Sequence, residues 1–291
     1  MEGKWLKTFR SFRIGRTSMS ERSSIPIYTH KPLMRFLEHQ EVVFRLLHLC
    51  VTGMTALQEL PDYMDMFIKA GYQYRQDLPD AEAKSEYDRE RTEFQQVAAL
   101  ANQEETRGFP LLYAHTLVSL WSALEFAIED VLVGILCNEP QILREPAFSK
   151  LKVLVADFEN LDRDERMRLV LSEISRDRGA GRRAQGVDHF EYILAPFGLS
   201  GPVEDQVKTC FWTMHNLRNV IVHRFSVADS RLVESCPWLN LKSGDPVIIA
   251  GRQLEEFRKA FCIYVNYLAR RLATRYGGAV TLPEIFFKPS P

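Results

Sequence analysis

The chain has 291 residues, 46% of them hydrophobic, which is enough for one large or two modest domains with a buried core. Its 37 Lys and Arg residues balance 38 Asp and Glu residues, so any site for a polyanion must be local rather than a global positive field. The five cysteines include no C-x-x-C pair, which argues against a zinc knuckle and a disulfide framework and favours a reduced, cytoplasmic protein.

The first residues do not have the pattern of a secretion signal, and their basic, aromatic composition would also suit a phosphate backbone or a membrane surface. Residues 1–30 are basic and aromatic but lack the apolar core of a signal peptide, so we interpret them as a flexible tail. The apolar stretch that begins at Val42 is interrupted by Arg45 and His48 and is too short to cross a bilayer. No membrane partner is therefore expected.

Apolar residues recur every three or four positions along most of the remaining chain, which predicts an all-α protein. Residues 31–105 are interpreted as an N-terminal helical region with helices over 32–49 and 85–103, packed as a bundle or as an arm. The segment Arg107 to Pro110 then interrupts the pattern. Residues 109–136 are apolar around most of the helix circumference, so they predict a central helix.

Five further helices follow Pro140. In chain order the pattern predicts helices over 146–161 and 163–175, a glycine-rich charged loop over 176–186, helices over 187–198 and 203–224, a small β-hairpin-like insert over 236–251, a helix over 251–276 and a tail over 279–291. The insert is predicted because Gly244 and Asp245 form a turn signal between two short apolar runs.

The helix over 203–224 has an unusual polar face. Its core stripe includes Val207, Met214 and Leu217, while the opposite side carries a set of aromatic, imidazole and amide side chains: Trp212, His215, Asn216, Asn219 and His223. Arg218 lies on the flank. A face that is only solvated usually carries Glu and Lys, so this composition favours an interface or a site.

Arg218 and His223 have side-chain types suited to phosphate chemistry. A guanidinium holds phosphate oxygens through its planar fork, and an imidazole that titrates near neutrality moves protons at the same group. The R-x4-H spacing is weak alone, since it occurs by chance in many helices. A histidine at a helix end also interacts with the helix dipole without any further role.

The surroundings strengthen this interpretation. The apolar helix with LWSALEFAIEDVL, the helix ending in RNVIVHR, the LNLKSGDPVIIAG insert and the final amphipathic helix together resemble the HEPN family, the higher eukaryote and prokaryote nucleotide-binding domains. The family motif is R-x4-6-H with a polar residue, often Asn, after the Arg, and Arg218, Asn219 and His223 match it. The resemblance covers about Gly108 to Tyr276, so we assign residues 106–278 to a HEPN-like domain.

The resemblance implies an up-and-down helical bundle that forms a homodimer with the motifs of two protomers at one cleft. Many members are metal-independent endoribonucleases of toxin-antitoxin, antiphage and RNA-processing systems, which implies RNA as substrate, no cofactor or metal, and an antitoxin or regulatory protein as a further partner. His223 would act as general base or acid, Arg218 would stabilise phosphoryl charge, and Asn219 would orient the phosphate or the imidazole. On a regular helix, Arg218 and His223 point about 140° apart, and pairing across a dimer would resolve this.

Other residues are candidates for supporting roles, with His215 among them as part of the polar face. Glu125 falls inside the apolar stripe of its helix and needs a partner, either Arg218, solvent or a neighbouring helix end. Arg182 and Arg183 lie in the glycine-rich loop and could follow an RNA backbone or simply be solvated. Arg224 could add a phosphate contact or only a charge at the helix C-terminus.

Other enzyme classes find no motif in the chain. G-x-S-x-G, H-E-x-x-H and a G-x-G-x-x-G after a strand are absent, and no two of the seven histidines are three or four positions apart. Two hypotheses remain: an RNA-cleaving enzyme, or a non-catalytic HEPN-like module that dimerises or binds a nucleotide or protein. The fold does not decide between them, and the intact motif favours the enzyme.

Overall fold

The structure, a computed structural model, describes residues 25–74, 80–149, 151–154, 158–177 and 184–278. Three of the sequence predictions therefore concern residues outside this description. They are most of the tail over 1–30, the two arginines Arg182 and Arg183, and the tail over 279–291.

The described residues form nine α-helices and contain no β-strand, which confirms the predicted all-α fold. The helices are α1 (Ile27–Gln58), α2 (Leu60–Tyr74), α3 (Asp80–Arg107), α4 (Pro110–Asn138), α5 (Arg163–Asp177), α6 (Val187–Leu194), α7 (Asp205–His223), α8 (Ser230–Ser235) and α9 (Gly251–Tyr276). Short 3-10 turns lie at Pro140–Arg144, Pro146–Phe148, Ala195–Phe197 and Pro237–Leu239. No helix of the described chain is long and apolar enough to cross a membrane.

Helix α4 lies at the centre of the bundle, as its apolar circumference predicts, and contacts α1, α5, α7 and α9. Its Trp121 is almost fully buried in an aromatic cluster that joins four helices. The ring centroid of Trp121 lies 5.4 Å from Phe190 of α6, 5.9 Å from Phe211 of α7 and 6.5 Å from Phe261 of α9. Each such pair contributes roughly 0.5–1.5 kcal/mol beyond the burial of its area.

The N-terminal helix shares this core. Phe36 of α1 packs edge to face on Phe261 of α9 at 5.9 Å, and Gln40 donates to the backbone carbonyl of Arg258 at 3.2 Å. Close approach to α4 depends on Gly134, where an added Cβ would lie 2.8 Å from the carbonyl oxygen of Tyr28. The predicted domain boundary between residues 105 and 106 stays a prediction, and α1 packs across it as part of a common core.

One predicted helix, over 146–161, is wrong in its first half. The described residues there form a 3-10 turn at Pro146–Phe148 and an irregular segment at 151–154 instead of an α-helix. The reason is that Phe148 is buried against Phe197, with ring centroids 5.4 Å apart, and this contact holds the chain in a short turn.

The insert before α9 has the predicted turn but different pairing. Gly244 has a φ of 95° and the Lys242 amide donates to the carboxylate of Asp245 at 2.7 Å, which fixes the turn. The residues after it pair with the segment that follows α7, through a single antiparallel bridge between Val227 and Pro246. The expected partner run cannot form a strand because Pro237 begins a 3-10 turn there.

Candidate functional site

Helix α7 carries the motif and ends in a sharp backbone turn. Its core face is buried, including Val207, Met214 and Leu217 as predicted. Directly after the helix, Phe225 and Ser226 have φ values of 53° and 59°, and the Ser226 amide donates to the carbonyl of Val220 at 3.2 Å. Left-handed backbone at two successive residues other than glycine costs on the order of 1 kcal/mol each.

The predicted polar face of α7 is partly covered rather than turned to solvent. Asn216 is only 3% exposed, and its amide donates to the carbonyl of Trp212 at 2.9 Å. The indole N–H of Trp212 donates to the carbonyl of Ser235 at 2.9 Å. This difference from the sequence pattern arises because α6 and α8 both pack against α7.

Three motif-helix side chains form a hydrogen-bonded series. Arg218 Nη1 lies 3.4 Å from Asn219 Oδ1, and Asn219 Nδ2 lies 3.1 Å from His215 Nε2. A guanidinium can only donate, so the amide oxygen of Asn219 faces Arg218 and its NH₂ group donates to His215. His215 Nε2 is then the acceptor, which assigns the neutral tautomer with the proton on Nδ1.

The environment of His215 agrees with that tautomer. Burial lowers the pKa of His215 to about 4, helped by the positive charges of His189, Arg218 and Arg231. Its ring also packs on Trp121, with centroids 5.8 Å apart. His215 is therefore neutral near pH 7 and acts as a hydrogen-bond acceptor that holds Asn219.

Arg218 is the one side chain of the described chain with a buried polar atom that lacks a hydrogen-bond partner, its Nε. Its side-chain bond to Asn219 is long at 3.4 Å, and within the described ranges no carboxylate forms an ion pair with it. A buried donor without an acceptor costs roughly 1–3 kcal/mol. The guanidinium therefore has donor capacity that the described side chains do not use.

Glu125 has a different partner from the one considered above. Its Oε1 accepts a hydrogen bond from the indole Nε1 of Trp121 at 2.8 Å, and Arg218 is not bonded to it. Trp121 is four residues earlier on the same helix, so this contact follows from helix geometry. The negative charge of Glu125 also raises the pKa of His189, although burial lowers that pKa overall.

His189 is a site neighbour that the sequence analysis did not identify. It lies on α6, and its charge is among those that lower the pKa of His215 on α7. Only the tertiary packing of α6 on α7 brings the two imidazoles together, so helical spacing carries no signal of this pair.

His223 and Arg224 lie outside the buried series. Both are exposed at the end of α7, and Arg224 Nε is 3.9 Å from the Asp229 carboxylate, which also caps α8. Several apolar side chains close to His223 are also exposed. Three of them neighbour it in sequence and one lies on the segment that pairs with the residues after α7: Val222 (48%), Phe225 (96%), Val227 (41%) and Ile248 (51%). The structure thus joins Arg218, Asn219 and His215 and leaves His223 on an exposed, partly apolar surface.

No group of three His, Cys, Asp or Glu side chains in the described residues could hold a metal ion. Comparison of the chain with protein-family models, with curated proteins and with solved structures gives no match. The resemblance to HEPN domains therefore rests on the motif residues and on the order of the helices.

Proposed function

We propose that this chain is a metal-independent endoribonuclease of the HEPN type that acts on cytoplasmic RNA as a homodimer. The observation that carries the proposal is Arg218, a partly buried guanidinium whose Nε has no acceptor and whose nearest bond is to Asn219. An arginine kept without a carboxylate, beside an amide that orients it, suits the binding of a phosphate group.

The proposed reaction needs no metal. The ribose 2'-oxygen attacks the adjacent phosphorus, the bond from phosphorus to the 5'-oxygen breaks, and negative charge develops on the non-bridging oxygens. His223 removes the 2'-hydroxyl proton or supplies one to the departing 5'-oxygen, water carries out the other proton transfer, and Arg218 stabilises the developing charge. The products are a 2',3'-cyclic phosphate and a 5'-hydroxyl. DNA is not cleaved because it lacks the attacking hydroxyl.

In this proposal, dimerisation brings Arg218 and His223 to the same phosphate. Within one protomer Arg218 and His223 point about 140° apart along α7. The exposed apolar side chains near His223, above all Phe225 at 96%, support an interface with a second copy. In the proposed dimer, His223 of each protomer faces Arg218 of the other. The dimer then has two such sites, and one phosphate lies between the two residues of each.

The first experiment is cleavage of a mixed RNA pool in EDTA, with mass analysis of the product ends. We expect the wild-type protein to leave 2',3'-cyclic phosphate ends, and Arg218→Ala and His223→Ala to lose cleavage by at least about 100-fold. Arg252→Ala and His115→Ala serve as matched controls because both residues are exposed and lie on helices other than α7. Wild-type protein that leaves every RNA intact, or active motif variants, would contradict the proposal.

Mixing the two inactive variants tests the dimer. A heterodimer of Arg218→Ala and His223→Ala contains one site with both residues and one site with neither. Random exchange should then restore about one quarter of the wild-type cleavage if the site is shared between protomers. If both residues act within one protomer, the mixture stays inactive.

The cellular role proposed with this activity is toxin-antitoxin or antiphage defence, in which an antitoxin or regulatory protein restrains the nuclease. Induced expression should stop growth for wild-type protein and not for Arg218→Ala. The exposed apolar surface near His223 also favours a second candidate, a non-catalytic module that binds a protein partner. That candidate predicts self-association or partner binding with no RNA cleavage under any condition.

A further inference from the structure

A second feature of α7 lies before the motif. A cleft of about 300 Å³ opens beside the first half of the helix, and two indole rings, those of Trp212 and Trp238, line it together with Lys208. Trp238 is 50% exposed, which is unusual for so large an aromatic side chain. The cleft is thus an aromatic surface with a cation beside it.

Both indoles are fixed by their polar edges. Trp212 donates to the Ser235 carbonyl at 2.9 Å, and Trp238 donates to the Thr213 hydroxyl at 3.2 Å. Because the N–H groups are satisfied inside the protein, the part of each ring that lines the cleft is apolar. Rings that are already held in place lose little conformational freedom when a flat ligand stacks on them.

The cleft and two of the three motif residues, Asn219 and His223, lie along one face of α7. Lys208, Trp212, His215 and Asn219 follow each other at intervals of four, three and four residues, which places them on one side of the helix. The helix rise puts Trp212 roughly 10 Å from Asn219 along the axis and about 16 Å from His223. A single nucleic-acid strand covers such a distance with a few nucleotides.

We infer that this cleft binds one base of the single-stranded RNA whose phosphate meets Arg218, an inference that rests on the proposed function. The base stacks on the faces of Trp212 and Trp238, and Lys208 contacts a neighbouring phosphate. Lys208 is free for this role because its pair with Asp205, at 3.7 Å, is exposed and weak.

The polar lining predicts a base preference. Asp188 borders the cleft, and a carboxylate accepts hydrogen bonds from exocyclic amino groups such as cytosine N4. Gln185 also lines the cleft and can both donate and accept. The cleft therefore favours a base with an exocyclic amino group, cytosine in particular, over uracil, whose exocyclic groups are only acceptors.

The test measures binding of short cytidine and uridine oligonucleotides whose 2'-hydroxyls are methylated, so that cleavage is impossible. We expect Trp238→Ala to weaken cytidine binding by about tenfold or more, and Trp238→Phe to retain most of it, as stacking requires. Asp188→Asn should reduce the preference for cytidine over uridine. Tyr63→Ala is the matched control, since Tyr63 is a 47% exposed aromatic on α2. Thermal unfolding of each variant verifies that it is folded.

The outcomes separate this inference from the proposed function. If wild-type protein cleaves RNA and Trp238→Ala binds the blocked oligonucleotides as tightly as wild type, the base site is wrong and the nuclease stands. If the blocked cytidine oligonucleotide binds through Trp238 while no RNA is ever cleaved, the base site stands and the nuclease is wrong. A wild-type protein that binds neither oligonucleotide overturns the base site and leaves the cleft to a protein partner.

Discussion

Two arginines of the same fold, Arg271 and Arg218, differ in how many hydrogen-bond acceptors surround them. Arg271 on α9 lies 2.7 Å from Glu191 and also donates to the carbonyls of Leu199 and Pro202 at 3.2 and 3.1 Å. Arg218 on α7 has a single bond of 3.4 Å and a buried Nε without a partner. Helices α7 and α9 pack against each other, so distance from the core does not explain the difference.

Arg271 is the arginine that stabilises the fold. Glu191 also accepts from the Tyr264 hydroxyl and the Gly201 amide, both at 2.8 Å, so the whole Arg271 network is satisfied. A satisfied network stabilises the fold and leaves no donor for a ligand. The unsatisfied Nε of Arg218 is a cost to folding, and the lack of a carboxylate partner for this guanidinium is the physical basis of the proposed phosphate site.

The largest expected effect is on stability at Arg271. Arg271→Ala leaves the Glu191 carboxylate partly buried without its cation, so we expect the free energy of unfolding to fall by about 3–5 kcal/mol. Arg218→Ala removes an unsatisfied donor and should change stability by less than about 1 kcal/mol, in either direction. Chemical denaturation measures both values. Equal destabilisation by the two substitutions would remove the distinction between the arginines.

Glu139 offers a second satisfied network and a test by pH. Burial raises the pKa of Glu139, but hydrogen bonds from Tyr276, Arg275 and Tyr28 outweigh burial and lower it overall. A lowered pKa stabilises the fold above the unfolded value, near 4.3, and this stabilisation is lost as pH falls through the folded value. We expect Glu139→Gln to lower the free energy of unfolding by about 2 kcal/mol at pH 7 and much less at pH 3. A difference that does not change with pH would contradict this account.

Protonation of His215, which bonds to Asn219 beside Arg218, should lower the free energy of unfolding at acidic pH. Its pKa is lowered to about 4, so the unfolded chain binds more protons between roughly pH 6.5 and 4, and stability falls as pH drops through that window. We expect this group to account for part of the loss, and His215→Gln to remove its share. Arg218→Ala should raise the pKa of His215 slightly, since burial is the larger cause. Titration by NMR measures the pKa in the wild-type protein and in the variant, and a wild-type pKa near 6.5 would contradict the effect of burial on His215.

The smallest effect is expected at the turn after α7. Phe225 has a φ of 53° and is 96% exposed. Phe225→Gly relieves the left-handed strain but frees the unfolded backbone, so stability should rise by at most about 1 kcal/mol. The same change should weaken self-association, which sedimentation measures against Phe126→Ala, a control at another exposed phenylalanine on α4. Unchanged self-association would mean that the dimer does not use this surface.

The sequence predicted three of the long helices closely because their apolar residues repeat over many turns, whereas α1 and α3 extend beyond their predicted bounds at both ends. Helices α4, α7 and α9 begin and end within a few residues of the predicted bounds. The pairing of the insert was not predicted, because the turn at Gly244 indicates a chain reversal but not which segment pairs with the residues after the turn. The bond from Trp121 to Glu125 was readable from i, i+4 spacing, whereas the approach of His189 to His215 arises only from helix packing.

The contact between the first and last described helices determines when the core can finish folding during synthesis of the chain. The bond from Gln40 to the carbonyl of Arg258 joins residues 218 positions apart. Contacts so distant in sequence form late, and they slow folding because the intervening chain must first be ordered. The core around α4 is therefore completed only after α9 has left the ribosome, and α7 with Arg218 acquires its final surroundings at the same late step.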